Sequence, residues 1–228
     1  MRTIRIAGVE VPRVGLGTNR LTTAPEHVAF VRDAVAAGVR HIDTAHLYSG
    51  GDSERAIGEA LDGERDDVLV ATKGGYRPGQ GRPDVLGAQI EQSLRSLRAD
   101  AIGLYYLHRV DPETPLEESL GAIAEYVERG AIRHVGVSEV TVEQLVQARQ
   151  VVPIAAVQNR YNRAERDHDD VIDACEREGI AFVPYYPLGG DEDPAAQLAW
   201  LLQRSPVVLP IPGTLNIDHV RENLAVLT

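Results

Sequence analysis

The segment His41-Ile42-Asp43-Thr44-Ala45-His46-Leu47-Tyr48 has the pattern of a strand that ends in a carboxylate and is followed five residues later by a phenol. Upstream, residues 31–38 show the helical spacing of apolar side chains and end in Gly38, a residue that commonly terminates helices. Residues 39–43 are therefore predicted to form a short buried strand, with Asp43 at its carboxyl end.

Two further polar side chains come directly after strand-like runs. Lys73 follows the run 67–72, and His108 follows the run 102–107. An isolated Asp–Lys pair favours a structural ion pair over a catalytic one. The addition of Tyr48 and His108, in this order along the chain, reverses that preference and indicates a catalytic group of four.

Strand-like apolar runs alternate with runs of helical spacing along the chain. The predicted strands are 13–18, 39–43, 67–72, 101–107, 132–137, 154–157, 180–185 and 207–210. The predicted helices are 25–37, 53–61, 83–97, 115–129, 142–149, 167–178, 194–202 and 217–224. Ser53 and Asp193 are predicted N-caps, and Pro194 fits the first turn of a helix.

This alternation is typical of a parallel sheet that helices cover on its outer side. Eight such units predict an α/β fold, a (β/α)8 TIM barrel. Residues 4–6 and 9–11 alternate around a turn and predict an N-terminal β-hairpin that acts as a lid or plug. Because chemistry in such barrels lies at the carboxyl ends of the strands, the four side chains named above are expected to share one mouth.

The composition fits a single domain over residues 1–228, with 43% hydrophobic and 25% charged residues. The 34 acidic and 23 basic residues give a net charge of −11, which opposes nucleic-acid binding. No apolar run reaches the roughly 18 residues that cross a bilayer, and residues 1–5 do not lead into a signal-peptide core. A cytoplasmic monomer is expected. The one cysteine, Cys175, has a helical context that predicts a core position.

Histidines beside the carboxylate suggest a metal-dependent hydrolase as another class, since His41 and His46 flank it. No His-x-His pair occurs, and no metal is expected. The loop 74–81 is predicted to be a flexible lid and not a phosphate cradle, because no helix begins directly behind it. Tyr105 and Tyr106 are predicted to be packing residues of the fourth strand.

The chemistry expected of the four side chains is proton donation to an oxygen on which negative charge develops. Free tyrosine titrates near pH 10, and a neighbouring ammonium favours its ionised form. Lys73 is therefore predicted to make Tyr48 a stronger acid, Asp43 to hold Lys73, and His108 to hydrogen-bond a substrate oxygen. Reduction of a carbonyl needs such a site. Since no side chain can supply a hydride, a nicotinamide cofactor is expected.

With these residues in place, the chain resembles an aldo-keto reductase from residue 11 to residue 223. The resemblance rests on Val14-Gly15-Leu16-Gly17-Thr18, Asp43-Thr44-Ala45-x-x-Tyr48, Thr72-Lys73, Leu107-His108, Gly136-Val137-Ser138, Val157-Gln158-Asn159, Tyr186-Pro187-Leu188-Gly189, Ile211-Pro212-Gly213-Thr214 and Glu222-Asn223. No single motif would suffice, but their order and spacing are highly specific. Residues 136–190 are most similar to a bacterial branch that includes pyridoxal reductases.

The resemblance implies an NAD(P)H-dependent oxidoreductase that reduces small aldehydes or ketones, with Tyr48 as general acid and Asp43, Lys73 and His108 as its catalytic partners. It implies NADP(H), or NAD(H), as the cofactor. The implied cofactor-binding residues are Gly17, Thr18, Ser138, Gln158, Tyr185, Leu188, Gly189, Thr214, His219, Glu222 and Asn223.

Three features depart from the family pattern. Glu139 replaces the usual Asn beside Ser138, and Gly213 and His219 replace the Lys and Arg that grip the 2′-phosphate of NADP in many members. The connection 191–197 is short, and the usual tail is absent, which predicts a shallow pocket. Gly213 and His219 leave the preference between NADP and NAD open. The short connection and Glu139 motivate an alternative function, a cofactor-binding redox sensor or partner subunit of the same fold with little turnover.

Overall fold

The computed structural model describes residues 2–6, 8–62, 67–190 and 193–228. The chain opens with the predicted hairpin, in which β1 (Thr3–Ile6) pairs antiparallel with β2 (Val9–Pro12). Ile6 and Val11 from this hairpin are buried in the same cluster as Leu69, which begins a barrel strand. The hairpin therefore plugs the end of the barrel opposite the carboxyl ends of the strands.

Within the described residues, one parallel sheet runs in chain order from β3 to β9. Its strands are β3 (Leu16–Gly17), β4 (His41–Asp43), β5 (Leu69–Gly74), β6 (Leu104–Leu107), β7 (Val135–Ser138), β8 (Ile154–Gln158) and β9 (Ala181–Phe182). The helices are α1 (Pro25–Ala36), α2 (Asp52–Ala60), α3 (Pro83–Leu97), α4 (Leu116–Glu128), α5 (Val142–Val151), α6 (Asp169–Glu178), α7 (Pro194–Arg204) and α8 (Ile217–Ala225). Among the described residues, seven of the eight predicted strands and all eight predicted helices are present, although several strands are shorter than predicted. None of the described helices is long and apolar enough to span a membrane.

The predicted eighth strand, 207–210, is an extended segment and not a regular strand. It forms one bridge, from Val208 to Phe182 of β9. On its other side, the Gly15 amide donates to the Pro210 carbonyl at 2.9 Å. Because proline has no N–H to donate, the ladder is interrupted at this residue. Bonding on both sides nevertheless closes the TIM barrel.

The two predicted N-caps have different outcomes. Ser53 is not an N-cap; it lies inside α2, where its buried hydroxyl is 2.7 Å from Thr44 Oγ1 and donates to Thr18 O at 2.9 Å. This hydroxyl ties α2 to the ends of β3 and β4, a tertiary role that local sequence does not reveal. Asp193 does cap α7, because its carboxylate accepts from Ala196 N at 3.0 Å.

The core has two layers, as expected for a barrel. Tyr105 and Cys175 belong to the outer layer between strands and helices, whereas Tyr106 belongs to the inner layer. A Cβ atom at Gly136 would lie 2.4 Å from the Tyr106 ring, so this ring requires glycine opposite it. Burial raises the pKa of Cys175 to about 12. The predicted packing roles of both tyrosines and of the cysteine are confirmed.

Helix α2 packs closely on α3, and Gly58→Ala is expected to lower the free energy of unfolding by about 1–3 kcal/mol. The new Cβ would lie 2.3 Å from the main-chain oxygen of Ser96, which cannot easily move. The matched control is Gly121→Ala in α4, where a Cβ would have no described atom within 4 Å. This control should raise stability by roughly 0.5–1 kcal/mol. Urea unfolding of the two variants measures the difference, and equal effects would contradict the packing argument.

Candidate active site

Asp43 and Lys73 form a buried ion pair near the carboxyl ends of β4 and β5. Lys73 Nζ donates to Asp43 Oδ1 at 2.6 Å and to Thr44 O at 2.6 Å. Gln158 Nε2 donates to Asp43 Oδ2 at 2.8 Å. The two charged side chains are 0% and 2% exposed. Both carboxylate oxygens are thus occupied, while one of the three N–H groups of the ammonium remains available.

Tyr48 begins a short 3-10 turn, Tyr48–Gly51, that holds its ring beside the ion pair. The Tyr48 amide donates to Ala45 O at 3.0 Å. Ser49 turns the chain sharply with a φ of 49°, a left-handed value that is uncommon for residues other than glycine. As a result, Lys73 Nζ lies 5.2 Å from the centroid of the Tyr48 ring.

His108 follows β6 directly and faces the phenol. Its ring centroid is 6.1 Å from that of Tyr48 and 4.8 Å from that of Tyr76. Burial, reinforced by the charges of Lys73 and Arg109, lowers the pKa of His108 to about 2, so the ring is neutral at physiological pH. Its buried Nδ1 has no hydrogen-bond partner among the described residues. A neutral imidazole can donate a hydrogen bond to a substrate oxygen without adding a charge beside the ammonium.

The structure therefore brings together the four side chains that the sequence predicts at one mouth. They come from three neighbouring strands: Asp43 and Tyr48 from β4 and the turn after it, Lys73 from β5, and His108 from the residue after β6. No group of three or more His, Cys, Asp or Glu suited to a metal ion occurs among the described residues. His41 lies two residues before Asp43 on the same strand and is fully buried.

Buried neutral histidines make stability depend on pH, and we expect the free energy of unfolding to fall as the pH decreases from 7 to 5. Burial lowers the pKa of His41 to about 4, and that of His108 to about 2. In the unfolded chain both histidines bind protons below about pH 6.5. The unfolded state then holds more protons, and each contributes a slope of up to about 1.4 kcal/mol per pH unit. Urea titrations at three pH values measure this slope.

His41→Asn provides the control for this titration. Asparagine is neutral at every pH, so the variant should lose a substantial part of the slope between pH 6 and 5 even if it is less stable overall. An unchanged slope would show that His41 does not titrate in the unfolding reaction.

A cleft of 540 Å³ lies at the mouth of the barrel, and Asp43 and Tyr48 form part of its wall. Four of the predicted cofactor-binding residues line it, namely Gly17, Thr18, Tyr185 and Leu188. The Thr18 hydroxyl itself is buried and donates to Asp43 O at 2.8 Å, so this residue offers the cleft its main chain. Gly189 follows with a φ of 59°, which bends the chain around the rim.

Other predicted cofactor residues are held by protein partners. Ser138 Oγ accepts from Arg109 Nη1 at 3.1 Å, and the Gln158 amide is bonded to Asp43. Thr214 Oγ1 lies 3.3 Å from His219 Nδ1. Asn223 is buried on α8, whereas His219 and Glu222 are exposed. Their roles toward a cofactor stay predictions.

The cleft fits a dinucleotide. Main chain and glycine form much of one wall, an aromatic ring stands at Tyr185, and two cations, Arg20 and Arg160, stand at the rim. Burial, with the nearby carboxylate of Glu139, raises the pKa of Tyr185 to about 12, so its ring is a neutral stacking surface. The Glu139 carboxylate accepts from Arg160 N at 2.6 Å. This hydrogen bond ties the Glu139 carboxylate to the main chain of Arg160. Glu139 itself has a left-handed φ of 56°.

Sequence reasoning missed two arginines, Arg20 and Arg109, that lie two or three residues after the end of a strand. Arg20 Nη2 donates to Gly213 O at 3.0 Å. Gly213 lies in the segment that leads into α8. Arg109 Nη1 donates to His108 O at 2.6 Å. Both arginines lie within three residues of a strand or of a predicted catalytic residue, and this position could have identified them as residues of the mouth. Part of the short connection 191–197 lies outside the described residues, namely 191–192, so its path is not described.

Sequence comparison agrees with this geometry. Residues 13–191 match the family model described as the Aldo/keto reductase family. The chain is 36% identical over 262 residues to pyridoxine 4-dehydrogenase of Escherichia coli, which covers 98% of this chain and 92% of that protein. It is also 36% identical over 256 residues to an uncharacterized oxidoreductase of Schizosaccharomyces pombe, covering 97% and 83% of the two chains.

Solved structures show the same fold. A thermostable aldo-keto reductase, crystallised with the inhibitor epalrestat, has a TM-score of 0.89 and 32% identity, covering 99% of this chain and 94% of that one. An aldo/keto reductase from Klebsiella pneumoniae, in complex with NADP and acetate, has a TM-score of 0.87 and 30% identity, covering 99% and 89%. The family resemblance and the barrel that the sequence predicts are confirmed.

Proposed function

This chain belongs to the aldo/keto reductase family, and from that membership we propose that the cleft at its barrel mouth is the active site of an NAD(P)H-dependent carbonyl reductase. The proposed reaction reduces the carbonyl of a small aldehyde or ketone to an alcohol. The observation that carries it is the buried Asp43–Lys73 pair beside Tyr48, with Asp43 and Tyr48 on the wall of a 540 Å³ cleft, a volume within the range of ligand-binding sites.

Tyr48 is the proposed general acid. The chemistry that a reduced nicotinamide supplies, when bound, is hydride transfer to the carbonyl carbon. Negative charge then develops on the carbonyl oxygen, and the Tyr48 hydroxyl donates a proton to it. Lys73 favours loss of this proton because its positive charge lies beside the phenol ring. Asp43 fixes the ammonium in place and compensates its charge.

His108 is the proposed substrate-positioning group. It remains neutral, so it donates a hydrogen bond to the carbonyl oxygen without competing with Tyr48 as an acid. Preorganised donors of this kind act on the charge that appears in the transition state. Ser138 and Tyr185 are proposed to hold and stack the nicotinamide ring, and the rim residues to hold the rest of the cofactor.

The alternative of a redox sensor receives no support from the relatives reported above. A direct test titrates the protein with NADPH and NADH by nicotinamide fluorescence and then measures their oxidation with an aldehyde panel. The panel includes pyridoxal, because a relative is a pyridoxine 4-dehydrogenase. Tight NADPH binding without turnover of any aldehyde would contradict the reductase proposal. Action as a cytoplasmic monomer, with no nucleic acid or membrane partner, stays a prediction.

Cofactor preference depends on the cations near Gly213, and Arg20→Ala is expected to weaken NADPH binding by about tenfold or more while NADH changes little. The Arg20 guanidinium already reaches the Gly213 carbonyl at the cleft, where many relatives carry a lysine. A charge-assisted contact to the 2′-phosphate is worth about 1.5–3 kcal/mol. Fluorescence titration gives both dissociation constants, with exposed Arg82→Ala on the N-terminal side of α3 as the charge control. Equal losses for both cofactors would place Arg20 away from the 2′-phosphate.

A further inference from the structure

Arg109 is a cation at the mouth that the proposed reaction does not use. It directly follows His108, and its Nη1 donates to His108 O at 2.6 Å and to Ser138 Oγ at 3.1 Å. Its Nη2 lies 3.5 Å from the Tyr185 hydroxyl. Among the described residues it forms no ion pair with a carboxylate, so its charge is not compensated by the protein.

Donor counting shows which part of Arg109 is open. A guanidinium has five N–H groups. The three contacts to His108, Ser138 and Tyr185 engage Nη1 and Nη2, and Nε has no partner among the described residues. Nη2 carries two hydrogens and has one contact, a long one of 3.5 Å to the Tyr185 hydroxyl. The Nε–H and Nη2 edge of the group, the fork that binds a carboxylate through both oxygens, is therefore the side of Arg109 with the fewest protein contacts.

Two aromatic rings fix the orientation of this fork. The Arg109 Cζ atom is 5.2 Å from the Tyr76 ring centroid and 5.8 Å from the Tyr185 ring centroid. Tyr76 also contacts His108, with ring centroids 4.8 Å apart. The cation is therefore held next to the place where His108 would position a carbonyl oxygen. A guanidinium held in this way loses little freedom when it binds an anion.

A second cavity, of 360 Å³, is lined by Tyr76, Arg77 and Arg109, among other residues. Its one acidic lining residue, Asp111, accepts hydrogen bonds from Gly79 N at 3.0 Å and Gly81 N at 2.7 Å. The same carboxylate also accepts from the Glu113 amide and the Thr114 hydroxyl, which lowers its pKa in spite of burial. Because the Asp111 carboxylate is bonded to its own loop, it does not pair with either arginine. The positive charges of Arg77 and Arg109 therefore make the cavity suited to an anion.

We propose that Arg109, with the cavity that Arg77 helps to line, binds a carboxylate on the carbonyl substrate, so that the preferred substrates are aldehydes or ketones that also carry an acid group. The inference rests on the proposed reductase function. It also accounts for a local cluster of positive charge on a chain whose net charge of −11 would otherwise repel anions.

The experiment compares 3- and 4-carboxybenzaldehyde with their methyl esters, which carry no charge and activate the aldehyde more strongly, so that electronic effects alone would favour the esters. The native protein should show a kcat/KM at least about tenfold higher for one of the acids than for its ester. Arg109→Gln should lower kcat/KM for that acid by about 10- to 100-fold more than for the ester. Arg109→Lys, which keeps the charge but loses the fork, should fall between the two. Arg129→Gln, at the residue that follows α4, changes the net charge equally, and it should leave the acid-to-ester ratio unchanged.

Two further measurements test the carboxylate site separately from the proposed reductase function. Dissociation constants for NADPH show whether Arg109 serves the cofactor, since a more than tenfold weakening in Arg109→Gln with equal losses for acid and ester would overturn the proposal. Calorimetric binding of 4-(hydroxymethyl)benzoate to the NADP+ complex does not need turnover. Binding that Arg109→Gln abolishes, in a protein that reduces no aldehyde, would refute the reductase function and support the carboxylate site. No acid preference in turnover and no binding by calorimetry would overturn the site.

Discussion

Tyr48→Phe is expected to lower kcat/KM for carbonyl reduction by about 10² to 10⁴-fold, the range typical of general acid catalysis. The substitution removes the hydroxyl that would protonate the carbonyl oxygen while it keeps the ring that lies 5.2 Å from Lys73 Nζ. The dissociation constant of NADPH should change little, because the phenol is proposed to act on the substrate. Steady-state kinetics and fluorescence titration on the same preparation measure both quantities.

Tyr126→Phe is the matched control for this change. Tyr126 lies on α4, where its hydroxyl donates to Gly87 O at 3.3 Å, away from the barrel mouth. This variant should keep wild-type turnover. Retention of more than about a tenth of the activity by Tyr48→Phe would remove Tyr48 from the role of acid.

Lys73→Met should cost both stability and activity. Asp43 would keep a charge that is 2% exposed and has lost its ionic partner. Breaking a buried ion pair by removing one member costs about 3–5 kcal/mol, since the remaining charge stays desolvated. Activity should fall by a factor comparable to that of the Tyr48 variant, because the phenol loses the neighbouring cation that favours proton transfer. Urea unfolding and initial rates per folded protein measure the two effects.

The double variant Asp43→Asn with Lys73→Met separates the two roles. Removing both charges leaves no unpaired buried ion, so much of the lost stability should return. Activity should not return, because no ammonium remains beside Tyr48. If the double variant regained turnover together with stability, the role of Lys73 would be structural and not catalytic.

The alternation of strands and helices could be predicted from the sequence because it depends on local patterns. Each barrel strand is a short apolar run between turn-forming residues, and each helix has apolar spacing close to 3.6 residues. The position of the catalytic group followed from the same alternation. Parallel strands present their carboxyl ends at one mouth, so residues that end strands, such as Asp43 and His108, must meet there.

Other features depend on contacts between distant parts of the chain and could not be predicted from local sequence. Serine is a common N-cap residue, but Ser53 lies inside α2 because its hydroxyl bonds to Thr18 and Thr44. The segment 207–210 reads as a strand, yet proline interrupts its ladder while its neighbours still bond it on both sides. In both cases the tertiary partner, and not the local propensity, decides the conformation.

The sequence by itself determined the barrel, the family resemblance and the identities of the four residues at its mouth, since these depend on periodicity and order along the chain. The tertiary structure decided what surrounds those residues. It joined Gln158 to Asp43 across 115 positions of sequence, and it placed Arg20 beside Gly213 across 193. The proposed role of Arg109 also depends on the tertiary structure. Tyr76 and Tyr185 orient its guanidinium, and the two rings come together only when the barrel closes.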